Sequence, residues 1–188
     1  MLKDYPKAIV TKDGDSVLLR PVTVEDEQAL SKFFSEIPDQ EQWFLREKLN
    51  DPNILHESLK KLNYKRTLPI VAVREKDGKI VANLRLHLSL APSIGHVAHL
   101  RVMVNPDFRS LKIGSWMILD CVKTAMDMGL EKLFAEFVAG AEDSAIGAAL
   151  KLDFRHEGSL KDYIKDKHGG YRDLVIMSRD LQSKWSDF

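Results

Sequence analysis

The sequence predicts one α/β domain over residues 1–188: a mixed sheet, antiparallel at first and parallel later, with helices packed on it. Three observations carry that reading. The length of 188 residues suits a single domain with a full hydrophobic core. Asp-Gly turns at Asp13-Gly14 and Asp77-Gly78 lie between apolar runs and mark hairpins. Between about residues 96 and 138 the pattern runs strand, helix, strand, which is a βαβ unit with a right-handed crossover.

The elements follow in order. Ala8–Val10 and Val17–Arg20 form the first hairpin. Thr23 with Asp26 resembles a capping box, and Leu30, Phe33 and Phe34 give the helix after it a buried face. Residues 39–62 predict two short helices, interrupted at Pro52, with Ile54, Leu55, Leu59 and Leu62 as the second stripe. Ile70–Val73 is a strand, and after the turn at 76–79 the chain alternates. Ile80, Ala82, Leu84, Leu86, Leu88 and Leu90 take the apolar face; Asn83, Arg85, His87 and Ser89 take the other. Pro92 ends that run, and a further strand covers about His96–Val104. A helix from Ile113 to Met128 is closed by Gly129, with Asp120, Lys123 and Asp127 on one solvated stripe. Leu133–Val138 is the next strand, Asp143–Leu152 a shorter helix, and Phe154–Glu157 and Arg172–Ser178 the closing strands.

Composition excludes several classes of function. Lys and Arg together number 28, as do Asp and Glu, so no basic excess exists for nucleic acid and no polybasic run for a membrane. The single cysteine, Cys121, excludes an intramolecular disulfide and any CxxC motif. The longest stretch without Asp, Glu, Lys or Arg, Leu86–Leu100, contains Pro92, Gly95 and three histidines, and does not read as a membrane span. The first residues lack the apolar run of a signal peptide, and the expected compartment is the cytoplasm.

One segment carries chemistry. Arg109-Ser110-Leu111-Lys112-Ile113-Gly114-Ser115 joins a strand to a helix. The first N–H groups of a helix have no intrahelical partner, and acids normally meet that positive end. Here no acid occurs between Asp107 and Asp120, while Arg109 and Lys112 bracket the turn. N–H groups, dipole and two cations together suit a phosphate, and Gly114 lets the backbone come close to it. Neither GxGxxG after a strand nor Gly-x4-Gly-Lys-Ser/Thr is present, which argues against an NAD- or ATP-binding enzyme.

The run Val102-Met103-Val104-Asn105-Pro106-Asp107-Phe108-Arg109-Ser110-Leu111-Lys112-Ile113-Gly114 resembles the acyl-CoA-binding motif of the GNAT N-acetyltransferase superfamily. The resemblance extends from about Val17 to Leu181, taking in Leu19-Arg20-Pro21 with Asp26, Ala145-Ile146, Lys151-Leu152-Asp153-Phe154 and Tyr171-x-Asp173. It implies a GNAT-like fold and transfer of an acetyl group from acetyl-CoA to a primary amine, on a small molecule or a protein. No metal, nucleic acid or membrane is implied. Val102, Met103 and Val104 would meet the pantetheine arm, and Arg109, Ser110, Leu111, Lys112, Ile113, Gly114 and Ser115 the pyrophosphate. The chain departs from the family pattern at several positions. The first motif glycine is Lys112, the glycine before Phe154 is Asp153, and the Asn that opens the second helix falls at Glu142. The tyrosine that often protonates the departing thiolate aligns with Ala149, leaving Tyr163 or Tyr171 to take its place. These losses keep a second reading open: a non-catalytic acyl-CoA-binding sensor or regulatory module.

His99 matches a position held by a general-base Glu in part of the superfamily, and Glu136, within an apolar strand, is the reserve base. His96 and His99 are three apart on a strand and point to opposite faces, which disfavours a metal site there. Cys121 reads as a core residue rather than a nucleophile. The sequence assigns neither an acceptor nor an oligomeric state.

Overall fold

The computed structural model describes residues 4–45 and 48–181. The first three residues, read above for a signal sequence, and residues 46 and 47 of the expected helical stretch lie outside that set.

β1 (Lys7–Val10) and β2 (Ser16–Pro21) pair antiparallel across the first turn. After β2 the chain enters α1 (Glu27–Ser35), whose start is held by one carboxylate. Asp26 accepts the Thr23 N–H at 2.8 Å and the Arg20 guanidinium at 2.6 and 2.7 Å, so the expected capping box is present with a cation added. Leu30, Phe33 and Phe34 are buried as expected. α2 (Asp39–Gln42) and α3 (Pro52–Lys60) follow. Pro52 opens a helix here: Asp51 caps α3 by accepting the Asn53 N–H at 2.9 Å, and a proline in the first turn has no N–H to leave orphaned. Leu55 and Leu59 are buried, whereas Ile54, one position round the helix, is exposed and drops out of the expected stripe.

β3 (Thr67–Arg74) and β4 (Ile80–Leu88) form the second hairpin. The register shifts between Ala72 and Val73, so an extra residue lies in β4 beside them. Ile80 therefore joins Phe33 and Val71 on one face, while Ala82, Leu84 and Leu86 lie on the other. The expected single apolar face holds from Ala82 onward but not at Ile80. Leu90 lies beyond the strand and is exposed.

β5 (Val97–Val104), α4 (Ile113–Asp127) and β6 (Lys132–Val138) make the βαβ unit, with β5 and β6 parallel. After α5 (Asp143–Leu150), β7 (Arg155–Lys165) and β8 (Tyr171–Asp180) close an eight-stranded sheet of order β1-β2-β3-β4-β5-β6-β8-β7. Among the described residues only β5 and β6 run parallel; beyond them the sheet returns to antiparallel pairing. β7 is longer than expected because it is an exposed edge strand, with little apolar alternation to mark its length.

Two layers cover the sheet. Ile113 and Met117 of α4 pack with Leu84, Leu86 and Ala98 on one face. Phe33, Phe34, Leu55 and Leu59 pack with Val71 and Ile80 on the other. Asp120 is not the solvated residue expected on α4. It accepts the Tyr5 hydroxyl and the Lys7 ammonium, each at 2.5 Å, tying the first strand to that helix. Burial, with the hydrogen bond to Asp120, pushes the Tyr5 hydroxyl well above its ordinary range. Cys121 is buried in the core as expected. Among the described residues no helix is long and apolar enough to cross a membrane.

Candidate active site

The site begins where the sheet splits. The β5–β6 ladder holds Val97–Lys132, Ala98–Leu133 and His99–Phe134, and stops there. β5 runs on to Val104 paired with β4, and β6 runs on to Val138 paired with β8. Past His99 the facing edges of β5 and β6 thus have no strand partner among the described residues. Backbone N–H and C=O groups on such edges are donors and acceptors for an extended ligand.

A cavity of about 430 Å³ lies beside the split. Phe34, Leu45 and Leu49 line it from the helical side, Phe134 and Glu136 from β6. β4 contributes Asn83, Arg85 and His87, and β5 contributes His99, Arg101 and Met103. These six form three cross-strand pairs: Asn83 opposite Met103, Arg85 opposite Arg101, His87 opposite His99. The Thr67 hydroxyl lies 3.2 Å from His87 Nδ1. The His99 ring packs against Phe134 with centroids 4.8 Å apart. Arg101 donates to Glu142 at 3.2 Å, and Glu142 also accepts the Val138 N–H at 2.8 Å, which ties β5 to the end of β6. At the rim, Trp43 Nε1 donates to the Lys165 carbonyl at 2.8 Å, joining the chain after α2 to the β7–β8 hairpin.

The other half of the site is the turn from β5 into α4. Asn105 is buried; its side chain accepts the Asp107 N–H at 3.0 Å and donates to Glu36 at 2.5 Å. Ser110 and Lys112 take left-handed backbone conformations, φ +63° and +65°. The first α4 amide that reaches back to a carbonyl is that of Trp116, which donates to Lys112 at 3.0 Å. The N–H groups of Ile113, Gly114 and Ser115 have no intrahelical acceptor, and no acid lies in the first turn. Gly114 has a packing role beside the expected one: a Cβ there would lie 3.2 Å from the Val104 side chain.

The expected residues divide into groups. His99 and Glu136 line one cavity, and Val102, Met103 and Val104 run along the split edge. Ser110, Leu111, Lys112, Ile113, Gly114 and Ser115 gather at the α4 start. Arg109 is committed elsewhere: its guanidinium donates to Glu41 at 2.6 and 3.0 Å and to the Val104 carbonyl at 3.2 Å. Tyr171 is 63% exposed at the start of β8, with the Lys165 ammonium over its ring, and does not line the cavity; Tyr163 is equally exposed. Ala149 is buried in the core. His96 is exposed and precedes β5, while His99 faces the cavity. Among the described residues no group of three or more His, Cys, Asp or Glu stands together as a metal site.

Sequence reasoning missed Asn83, Arg85, His87 and Arg101 as site residues. The signal was present. A central strand covered on both faces is expected to be apolar on both, so alternating polar residues in β4 imply a cavity rather than a solvated face.

Comparison with known proteins fits this geometry. The Acetyltransferase (GNAT) family model matches residues 30–154. No curated protein sequence matches the chain. Among solved structures, the GNAT domain of S. lividans PAT is 18% identical with a TM-score of 0.75, covering 95% of this chain and 98% of that one. A ribosomal-protein-alanine N-acetyltransferase from Brucella melitensis is 24% identical with a TM-score of 0.73, covering 87% and 99%. A spermidine N-acetyltransferase chimera from Vibrio cholerae and hSSAT is 14% identical with a TM-score of 0.74, covering 88% and 95%. These likenesses establish a shared fold. With about two thirds of its length inside the family match, this chain belongs to the acetyltransferase (GNAT) family.

Proposed function

We propose that this chain moves an acetyl group from acetyl-CoA to a primary amine by direct attack of the amine nitrogen on the thioester carbonyl. Acetyl transfer is the chemistry of the family, and acetyl-CoA is the co-substrate it implies. The observation that carries the reading is the split between β5 and β6, with His99 and Glu136 in the cavity beside it.

The residues present fit the co-substrate. The β5 edge at Val102–Val104 offers donors and acceptors to the amide groups of a pantetheine arm. The N–H groups of Ile113, Gly114 and Ser115, with the dipole of α4 behind them, suit a diphosphate. Lys112 adds charge there, whereas Arg109 first has to part from Glu41. When bound, acetyl-CoA supplies an activated carbonyl and a thiolate leaving group. A thiol of ordinary pKa, about 8.5, departs near neutral pH with little help, so the alanine at position 149 is no obstacle. His99 takes the proton of the attacking amine, directly or through water, with Glu136 as the alternative base. A backbone N–H at Met103 or Val104 supports the oxyanion. The cytoplasm, expected from composition, is part of the same proposal.

Thiol release from acetyl-CoA in the presence of an amine panel tests this. Amine-dependent release is expected. A chain that binds CoA and releases no thiol with any amine is instead the sensor module. His99→Ala is expected to lower kcat by roughly 10²–10⁴-fold with acetyl-CoA affinity retained. A near-normal kcat in that variant transfers the role to Glu136.

A further inference from the structure

We infer that Arg109 exchanges partners: it leaves Glu41 for the diphosphate of the co-substrate, and the turn that Glu41 then frees is the rim of the acceptor cavity. This deepens the transferase reading and rests on the diphosphate lying at the start of α4.

The argument starts from what Arg109 holds. Its guanidinium donates to both Glu41 oxygens, at 2.6 and 3.0 Å, and to the Val104 carbonyl at 3.2 Å. The Val104 side chain in turn abuts Gly114 in the first turn of α4. Val104 thus touches both the guanidinium and the helix end whose amides lack intrahelical acceptors. That end has no acid in its first turn, and Lys112 precedes it. The acid that meets Arg109 comes instead from α2, 68 residues earlier in the chain. A guanidinium fork fits a carboxylate or a phosphate equally well, so the two compete for one side chain. Both members of the pair are part-exposed, and such a pair is held weakly. A diphosphate brings more charge than one carboxylate, and the α4 amides and dipole hold it in addition. The exchange therefore runs toward the diphosphate.

Its consequence follows from how α2 is fastened. Gln42 pins it to the end of α1, donating to the Phe34 and Ile37 carbonyls at 3.1 and 2.6 Å. On either side of Gln42 the chain reaches outward. Glu41 goes to Arg109, and Trp43 goes to the Lys165 carbonyl of the β7–β8 hairpin at 2.8 Å. Three successive residues thus strap α1, the turn before α4 and the hairpin together, and Leu45, two residues on, lines the cavity. Losing the Arg109 link releases one end of that strap while Gln42 keeps the turn in place. Glu41 is therefore a positioning residue. It lowers co-substrate affinity and ties occupation of the α4 turn to the looseness of the cavity rim, a coupling that runs equally in both directions.

The test is a double-mutant cycle read by calorimetry with CoA at low ionic strength. Glu41→Gln removes the competing charge and is expected to tighten CoA binding about 3–5-fold, the size of an exposed pair. Arg109→Ala is expected to weaken it about tenfold, and Glu41→Gln added to Arg109→Ala is expected to gain nothing. The second readout is the indole N–H signal of Trp43 by NMR, assigned with Trp43→Phe. It is expected to shift on adding CoA, and on adding ADP, which carries a diphosphate without the pantetheine arm. In free Glu41→Gln it should already be displaced the same way. A gain in affinity that persists in Arg109→Ala assigns Glu41 simple repulsion of the ligand and overturns the exchange. Unchanged or weaker CoA binding in Glu41→Gln overturns it too, as does a Trp43 signal indifferent to both ligands or one that needs the pantetheine arm. Each of these outcomes leaves amine-dependent thiol release, and with it the transferase reading, standing. The full cycle with no thiol release from any amine keeps the exchange and makes the chain a CoA-binding module. A wild-type chain that binds no CoA sinks both.

Discussion

Lys112 sits at φ +65°, where a side chain crowds the neighbouring carbonyl, and Asp153 sits at +60°. The resemblance to the family places glycine, the residue that adopts this conformation most easily, at both positions. A left-handed non-glycine residue costs roughly 1–2 kcal/mol, and glycine returns about 0.5–1 of that through the entropy of the unfolded chain. Lys112→Gly is therefore expected to stabilise the protein by up to about 1 kcal/mol in urea unfolding; a clear loss of stability would show that the lysine makes a favourable contact there. Cys121 gives a second expectation at this scale. Burial is the main cause that pushes its thiol up to about 12, with the Asp120 charge adding to it. A thiol deprotonates above its pKa, so at pH 8 almost none is thiolate, and the thiolate is the reactive form. Native protein should resist thiol reagents at pH 8 and become labelled only on unfolding, as mass spectrometry would read.

The start of α1 depends on one carboxylate, Asp26. Burial works against its charge, but the Arg20 fork and the Thr23 N–H outweigh that and hold it below the usual carboxylate range. Its folded pKa lies below the unfolded one, so its contribution is complete above about pH 4 and fades as pH falls through the folded value. Asp26→Asn should cost about 1.5–3 kcal/mol at pH 7, the range for hydrogen bonds to charged groups, and progressively less below pH 4. Equal losses at pH 7 and pH 3 would assign the effect to packing instead. This cap was legible because a Thr-x-x-Asp pattern is local in sequence. So were the hairpins at Asp13-Gly14 and Asp77-Gly78 and the helix that closes at Gly129. What escaped was set by partners far along the chain. The register shift beside Ala72 turns Ile80 to the opposite face, and no periodicity announces it. Trp43 reaches Lys165 and Arg109 reaches Glu41 across long sequence separations. The polar face of β4 was visible as a pattern, but its meaning depended on knowing that helices cover it.

Across the whole molecule, β5 is the member that both halves of the site share. Its middle, His99 to Met103, lines the cavity, and its end passes through Asn105 into the turn that opens α4. In the proposed reading, a cofactor lying along β5 would have its reactive end and its anionic end positioned by one strand, while α4 packs on the core behind it. Gly114 is where these requirements meet, because its amide belongs to the open helix end and its missing Cβ admits Val104. Substitution there should separate stability from binding. An aspartate in the first turn of a helix favours the dipole by about 0.3–1 kcal/mol. Against that, a Cβ at 3.2 Å from Val104 Cγ2 asks that side chain to give by a few tenths of an ångström. The two effects oppose, so Gly114→Asp should leave the urea midpoint nearly unchanged. For binding they do not oppose: a carboxylate at the helix start repels the diphosphate and occupies its donors. CoA affinity by calorimetry should fall at least about 100-fold, the size of losing charge-assisted hydrogen bonds to several oxygens. Gly114→Ala adds only the Cβ and should lose far less. Unchanged CoA affinity in a folded Gly114→Asp protein would place the diphosphate away from α4 and detach the anion turn from the cavity.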